Sequence, residues 1–345
     1  MILTGLGLST KDFLFLLGSF VAGGLGAFLI GRYACQLGLL DVPNARSSHT
    51  LTTPKGGGVG IVAAFLIGAT VYGISPFLWG PVIFLAVISF WGDRVHISPS
   101  LRLVCQFLAS FVVLYGMVGH LPSLLGELFS RREYVLVFAP LAAIFVVGTT
   151  NFYNFMDGIN GMAAITGIIG FGLLFAYGVY TGKDMALLMV CLGLSTACSG
   201  FLPFNIPSAR VFMGDVGSIL LGFVFGVMVI AFAGSMPEFC LLSSFIFPFY
   251  ADELVTMAER LRDGQRLTRP HRRHMYQILA NEAGIAHWKV SVMYGIFQLF
   301  VGISLWKAAN LDKLLFWAVL GCLIVFFMLI NSKVKRKYPV REGVI

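Results

Sequence analysis

Residues 217–234 read GSILLGFVFGVMVIAFAG. This run carries no charge, and as a helix it is about 27 Å long, close to the ~30 Å hydrocarbon core of a bilayer. Its apolar residues fall on every side of a helical wheel, so no face is left for water. Working outward, similar runs recur near 12–31, 58–75, 77–91, 101–119, 134–150, 161–180, 185–203, 238–257, 289–308 and 312–331. The sequence therefore predicts an all-α, polytopic transmembrane bundle of eleven spans, with the third the shortest. The first run is too long for a signal-peptide core and has no small-residue cleavage site after it, so it reads as an anchor.

Composition agrees. Of 345 residues, 58% are hydrophobic and 12% charged, with a mean hydropathy of +0.87. A soluble domain has about 25% charged residues, so a cytosolic enzyme, a disordered chain and a disulfide scaffold are excluded. The six cysteines lie mostly in apolar runs without a CxxC pair and read as small hydrophobes. No internal repeat or long linker divides the chain, so residues 1–345 read as one membrane domain.

Of the 24 Lys and Arg, all but Lys11, Arg131, Arg132, Lys183, Lys307 and Lys313 gather with segments 32–57, 92–100, 151–160, 204–216, 258–288 and the C-terminal tail. Excess basic residues mark the cytoplasmic side. The N-terminus is thus expected outside and the C-terminus inside. The formal charge of +8 suits loops against anionic membrane lipid. Nucleic acid is not expected, because no basic segment is interleaved with exposed aromatics.

The same face collects the polar residues. In NFYNFMDGINGMA (151–163), Asn154, Asp157 and Asn160 recur every third residue, which one helical turn would bring to one side. Oxygen donors of this kind suit a hard cation such as Mg²⁺; they equally suit a cap for the helix starting near 161. In FNIPSARVFMGDVGSILLG (204–222), Asp215 stands between glycines at a helix start, where it can cap or hold a metal beside an anion. Gly222 and Gly226 form a small-xxx-small pair suited to helix packing. In ADELVTMAERLRDGQRLTRPHRRHMYQIL (251–279), Asp252 and Glu253 precede Arg269, His271, Arg272, Arg273 and His274. Forked arginine donors match phosphate oxygens, although such a loop can also rest on lipid headgroups. DVPNARSSHTLTTPKGGGVG (41–60) adds Arg46, His49 and Lys55, and FWGDRVHISPSLRL (90–103) adds Asp93, Arg94 and Arg102. The Gly-rich stretch does not match a P-loop. The piece LPSLLGELF in 120–133 reads as amphipathic.

Taken together in chain order, the motifs within 41–60, 151–163, 204–222 and 251–279 resemble those of the polyprenyl-phosphate N-acetylhexosamine-1-phosphate transferases, a bacterial membrane family (glycosyltransferase family 4), over residues ~30–280. Within it, HRRHMYQ is most similar to the O-antigen initiators, whereas the MurNAc-pentapeptide translocase has a run of three His. The resemblance implies transfer of a sugar 1-phosphate from a UDP-N-acetylhexosamine, including deoxy forms, to undecaprenyl phosphate. It implies Mg²⁺, or Mn²⁺ in its place, UMP as leaving group, and a multi-pass protein of the inner membrane with a cytoplasmic site. By matching motifs, Asp215 and Asp157 would bind metal, and Asp93, Asp157, Asp215, His271 and His274 would be catalytic. Asn154 would belong to the nucleotide–metal loop. Asn160 and Phe212 would meet the uracil, Phe212 by stacking, and Asn205 matches the family's NxPxxxxFMGD stretch. Arg46 and His49 would contact substrate, while Asp252, Arg269, His271, Arg272 and His274 would grip the diphosphate. One departure stands out: the family's usual aspartate pair is Gly92–Asp93 here.

The alternatives are an N-acetylglucosamine-1-phosphate transferase of another glycan pathway and a non-catalytic relative that binds UDP-sugar or lipid. A homodimer is left open. A transporter fits poorly, because its polar groups would sit near the midplane.

Overall fold

The computed structural model describes residues 8–43, 48–95, 97–117, 132–266 and 271–339. Helix α1 (Thr10–Leu37) begins at a capping box in which Ser9 and Asp12 satisfy each other's backbone N–H, and ends at Gly38 in the left-handed region (φ 68°). A short ribbon pairs Leu40–Asp41 antiparallel with Thr53–Pro54. Then follow α2 (Val59–Val71), α3 (Pro76–Arg94), α4 (Pro99–Gly116), α5 (Arg132–Met156), α6 (Met162–Tyr180) and α7 (Met185–Phe201). Next are α8 (Asp215–Phe232), α9 (Met236–Ser243), α10 (Phe247–Arg262), α11 (Met275–Asn281), α12 (His287–Leu311) and α13 (Lys313–Lys337). Ser75 and Ser98 cap α3 and α4, each followed by proline at the first helical position.

Among the described residues, ten helical stretches are long and apolar enough to cross a membrane, and α2 is a shorter apolar helix. The eleven expected spans are therefore all present as helices, and the chain is a multi-pass membrane protein. Phe13 and Leu17 on α1, Ile296 and Phe300 on α12, and Phe326 and Leu329 on α13 face outward, as lipid contact requires. Helix α8, whose sequence left no face for water, is the hub: every residue from Val216 to Ile230 is buried.

Three expectations need correction. The short span is α2, with 13 residues, whereas α3 has a full 19. Helix α2 ends at Val71 rather than 75, with Gly73 just beyond in the left-handed region (φ 64°), while at its start the Gly57 and Gly58 N–H groups donate to the Phe212 and Met213 carbonyls (both 2.9 Å). The span placed at 238–257 is broken by a 3₁₀ turn, Ser244–Ile246, with Pro248 restarting the chain as α10. The segment 151–160 is not wholly a loop, since α5 continues to Met156. The amphipathic piece in 120–133, LPSLLGELF, lies outside the described residues.

Close backbone contact explains several glycines. A side chain at Gly222 would strike Tyr153 and Thr150 of α5, which is the helix packing expected of the Gly222–Gly226 pair. A Cβ on Gly200 of α7 would collide with the Phe20 carbonyl of α1. Gly200→Val should therefore force α1 and α7 apart, at a cost of about 1–3 kcal/mol or more. A melting curve of the detergent-solubilised protein checks this, and an unchanged midpoint would contradict it.

Candidate active site

At one end of the bundle the connecting segments enclose a cavity of about 340 Å³. Its floor is the start of α8. Asp93, at the end of α3 and 6% exposed, accepts from the backbone N–H groups of Asp215 and Val216 (both 3.3 Å). One helix thus supplies the N-terminal cap of another, where free donors and the helix dipole favour a carboxylate. Gly214 (φ 74°) makes this possible: a Cβ there would lie 2.7 Å from both Asp93 Oδ2 and the Gly56 nitrogen. The Gly-rich stretch lies alongside, with Phe212 N–H donating to the Pro54 carbonyl at 2.8 Å. Its glycines permit backbone docking, and the docked strand brings Lys55 to the cavity wall.

Asp215 is held from two sides. Asn154, on the last turn of α5, donates to Asp215 Oδ1 (2.9 Å) and to Ser218 Oγ (2.8 Å). Arg102 of α4 forms an ion pair with Asp215 Oδ2. Gly92 also lies on the wall, and a Cβ there would be 3.1 Å from Arg102 Nη2. The position lacking a carboxylate is thus directly beside this guanidinium. Asp157 follows the end of α5 and faces the cavity. Burial, and then the carboxylates of Asp215 and Asp93, push its pKa well above the usual carboxylate range.

Asn154, Asp157 and Asn160 do not share one helical turn: the first is helical, the second lies just past the helix, and the third is in the turn before α6. All three nevertheless reach the cavity, as do His49, Asp93, Asn205, Phe212 and Asp215. Asn205 is 6% exposed; it donates to the Val211 carbonyl (2.9 Å) and accepts from Gly161 N–H (2.5 Å). Its amide is engaged in positioning the loop. Asn160 donates to the Pro207 carbonyl at 3.2 Å. Phe212 meets the His49 ring edge-on at 4.9 Å.

The Asp–His group expected on the same wall lies elsewhere. Asp252 is fully buried and accepts from Met275 N–H (2.8 Å), Tyr276 N–H (3.3 Å) and Tyr294 O–H (2.7 Å). His274, 3% exposed, lies 3.2 Å from Glu253 Oε2. Asp252 therefore caps α11, much as Asp93 caps α8, and α11 brings Gln277 to the cavity. Neither Asp252, His271, Arg272 nor His274 lines it. Burial, and then the positive neighbours around it, push His271 down to about 3, so its imidazole is neutral at pH 7. Arg46 and Arg269 lie outside the described residues. The sequence reading left Lys55, Arg102, Gln277 and His287 out of the site, yet all four line it. Lys55 and Arg102 stood out as isolated charges beside apolar runs; nothing local marks Gln277 or His287.

Of the four aspartates that line the cavity, Asp93, Asp157 and Asp215 interact with one another and face Arg102 and Lys55 as opposing charge. Among the described residues no cluster of three or more His, Cys, Asp or Glu side chains could hold a metal ion. A pair such as Asp157 and Asp215 suits instead a hard cation that takes one or two carboxylates and completes its coordination with water and ligand oxygens. The crowding gives a stability prediction. An Asp whose folded pKa is raised destabilises the fold once pH exceeds its unfolded pKa, near 3.9. At pH 7, then, Asp157→Asn should raise the melting midpoint of cation-free protein, and added Mg²⁺ should stabilise the variant less than the wild type. A lower midpoint for the variant would contradict the repulsion argument.

Apolar helices around a hub, with a carboxylate-lined cavity at one end, define a multi-pass membrane protein with an enclosed polar site. Residues 75–233 match glycosyl transferase family 4. The chain is 26% identical over 315 residues to a probable undecaprenyl-phosphate N-acetylglucosaminyl 1-phosphate transferase of Bacillus subtilis, covering 88% of this chain and 86% of the relative. It is 28% identical over 331 residues to the undecaprenyl-phosphate alpha-N-acetylglucosaminyl 1-phosphate transferase of Salmonella typhi, covering 91% and 88%. A decaprenyl-phosphate N-acetylglucosaminephosphotransferase of Mycobacterium leprae is 27% identical, with 82% and 79% covered. Over residues 75–233 the chain is similar to glycosyl transferase family 4, and over most of its length to these transferases.

Proposed function

We propose that the protein transfers an N-acetylhexosamine 1-phosphate from a UDP-sugar to undecaprenyl phosphate, on the cytoplasmic side of a bacterial inner membrane. The observation that carries this reading is the cavity itself: Asp93, Asp157 and Asp215 beside Arg102 and Lys55, at the end of an apolar bundle. The relatives' names make N-acetylglucosamine 1-phosphate the first group to test.

In the reaction an oxygen of the lipid phosphate attacks the phosphorus bearing the sugar. The bond from that phosphorus to the bridging oxygen breaks, and UMP leaves with the electron pair. The attacking monoester has a second pKa near ~6, so it is mostly dianionic at pH 7 and needs no strong base. What the protein must supply is placement and charge balance. Asp157 and Asp215 would hold Mg²⁺, which when bound neutralises diphosphate charge. Arg102 and Lys55 offer donors to phosphate oxygens, and Phe212 offers an aromatic face to uracil. The prenyl chain stays in the bilayer beside the outer helix faces.

The test is transfer of radiolabel from UDP-N-acetylglucosamine, UDP-N-acetylgalactosamine and UDP-activated deoxy N-acetylhexosamines to undecaprenyl phosphate, with and without Mg²⁺. Mg²⁺-dependent lipid labelling with equal UMP release is expected, and the best donor bears on whether the product feeds O-antigen or another glycan. Protein that binds UDP-sugar yet labels lipid with none of them would overturn the reading in favour of a binding-only relative, with Gly92 the first position to restore as Asp.

A further inference from the structure

The cavity has two unlike sides. One holds Asp93, Asp157 and Asp215. The other is built by Asp41, Ser48, His49, Gln277 and His287. We propose that this second side seats the hexosamine ring of the donor, and that His287 and Gln277 set which sugar is accepted. The inference rests on the UDP-sugar reading above.

These residues come from three segments, none of which carries Asp93, Asp157 or Asp215. They are tied to one another. Asn281 Nδ2, at the end of α11, donates to Ser48 Oγ at 3.2 Å, fastening the segment at 48–49 to that helix. His49 Nε2 lies 3.8 Å from Asp41 Oδ2, beyond hydrogen-bond distance. That nitrogen is buried and has no hydrogen-bond partner. Gln277 accepts from the His274 N–H at its Oε1 (3.4 Å) and hydrogen-bonds the Tyr276 hydroxyl through its NH₂ group, whose second N–H remains as a donor. His287 is the first residue of α12, directly after the Ala286 N-cap, and lies within electrostatic reach of His49.

The wall therefore presents a hydroxyl, an amide, a carboxylate and two imidazoles, a mix of donors and acceptors. Such a set matches a ring bearing hydroxyls and an acetamide group. It is a poor match for a diphosphate, which wants cations and has them across the cavity at Arg102 and Lys55. The edge-on contact of His49 with Phe212 places this wall beside the ring proposed for the uracil. A buried site built to hydrogen-bond a hydroxyl rejects an analogue that leaves its groups unpaired, so these residues are where sugar identity is read.

The experiment is binding of UDP, UDP-N-acetylglucosamine and UDP-N-acetylgalactosamine by calorimetry, in detergent with Mg²⁺. The proteins are wild type, His287→Ala, Gln277→Ala and Phe212→Ala. For His287→Ala and Gln277→Ala we expect UDP affinity to be retained, which also reports an intact fold. Affinity for the wild type's preferred UDP-sugar should fall about five- to tenfold, as for a lost hydrogen bond, and the preference between the two sugars should narrow. Equal weakening toward UDP and UDP-sugar, or none toward either, would overturn the proposal. Failure of the underlying reading looks different: the wild type would bind none of the three, or Phe212→Ala would leave UDP binding unchanged.

Discussion

Asp215→Asn should lower the rate of UMP release at least about 100-fold, the scale of losing an electrostatic group that acts on reacting phosphates. The substitution removes charge and little else. Asn has the same shape, and its oxygen can still accept from Asn154 Nδ2. The Asp93 cap on the Asp215 and Val216 N–H groups does not involve the Asp215 side chain. The start of α8 should therefore stay in place. What changes is the acidic side of the cavity, which loses the carboxylate paired with Arg102 and proposed to hold the cation. Initial rates at saturating donor, with the melting midpoint measured alongside, separate this from unfolding. A variant keeping more than a tenth of wild-type rate would show that Asp215 does not carry the charge chemistry.

Asp252→Ala should be the most damaging of these substitutions to stability. Its carboxylate is fully buried and takes hydrogen bonds from Met275 N–H, Tyr276 N–H and Tyr294 O–H. Alanine would leave all three donors without an acceptor in a dry interior. Breaking a buried charged group from its partners costs about 3–5 kcal/mol. The first consequence would be loosening of α11, and with it Gln277. Hydrogen exchange of residues 275–281, read with the melting midpoint in detergent, is the direct measurement. Wild-type protection there would show that α11 does not depend on this cap.

The membrane bundle was legible because bilayer thickness imposes a length and a purity on each span that few other structures share. The short α2 was not, since the apolar run continues through Tyr72 and Ile74 and hides the stop at Val71, where Gly73 takes a positive φ. Within the site, Asp157, Asp215 and Asn154 could be found because glycine and polar residues interrupt apolar runs there. The pairing of Asp93 with the start of α8 joins positions far apart in sequence, so no local pattern shows it. The Asp252–His274 group exposes a deeper ambiguity. A carboxylate and a histidine near a helix start fit gripping a phosphate and capping a neighbouring helix equally well. Only the fold decides, and here the carboxylate faces inward, onto α11.

The docking of residues 54–58 against 212–213 by backbone hydrogen bonds has a consequence during synthesis. The glycine strand leaves the ribosome long before its partner exists, and Asp93 emerges long before the helix end it caps. Until α8 arrives, the early part of the chain holds unpaired amides and a carboxylate without its donors at the edge of the bilayer. Such distant pairings form slowly. The cavity should therefore be among the last features to form, and nascent chains stalled before residue 211 would be membrane-inserted yet unable to bind nucleotide.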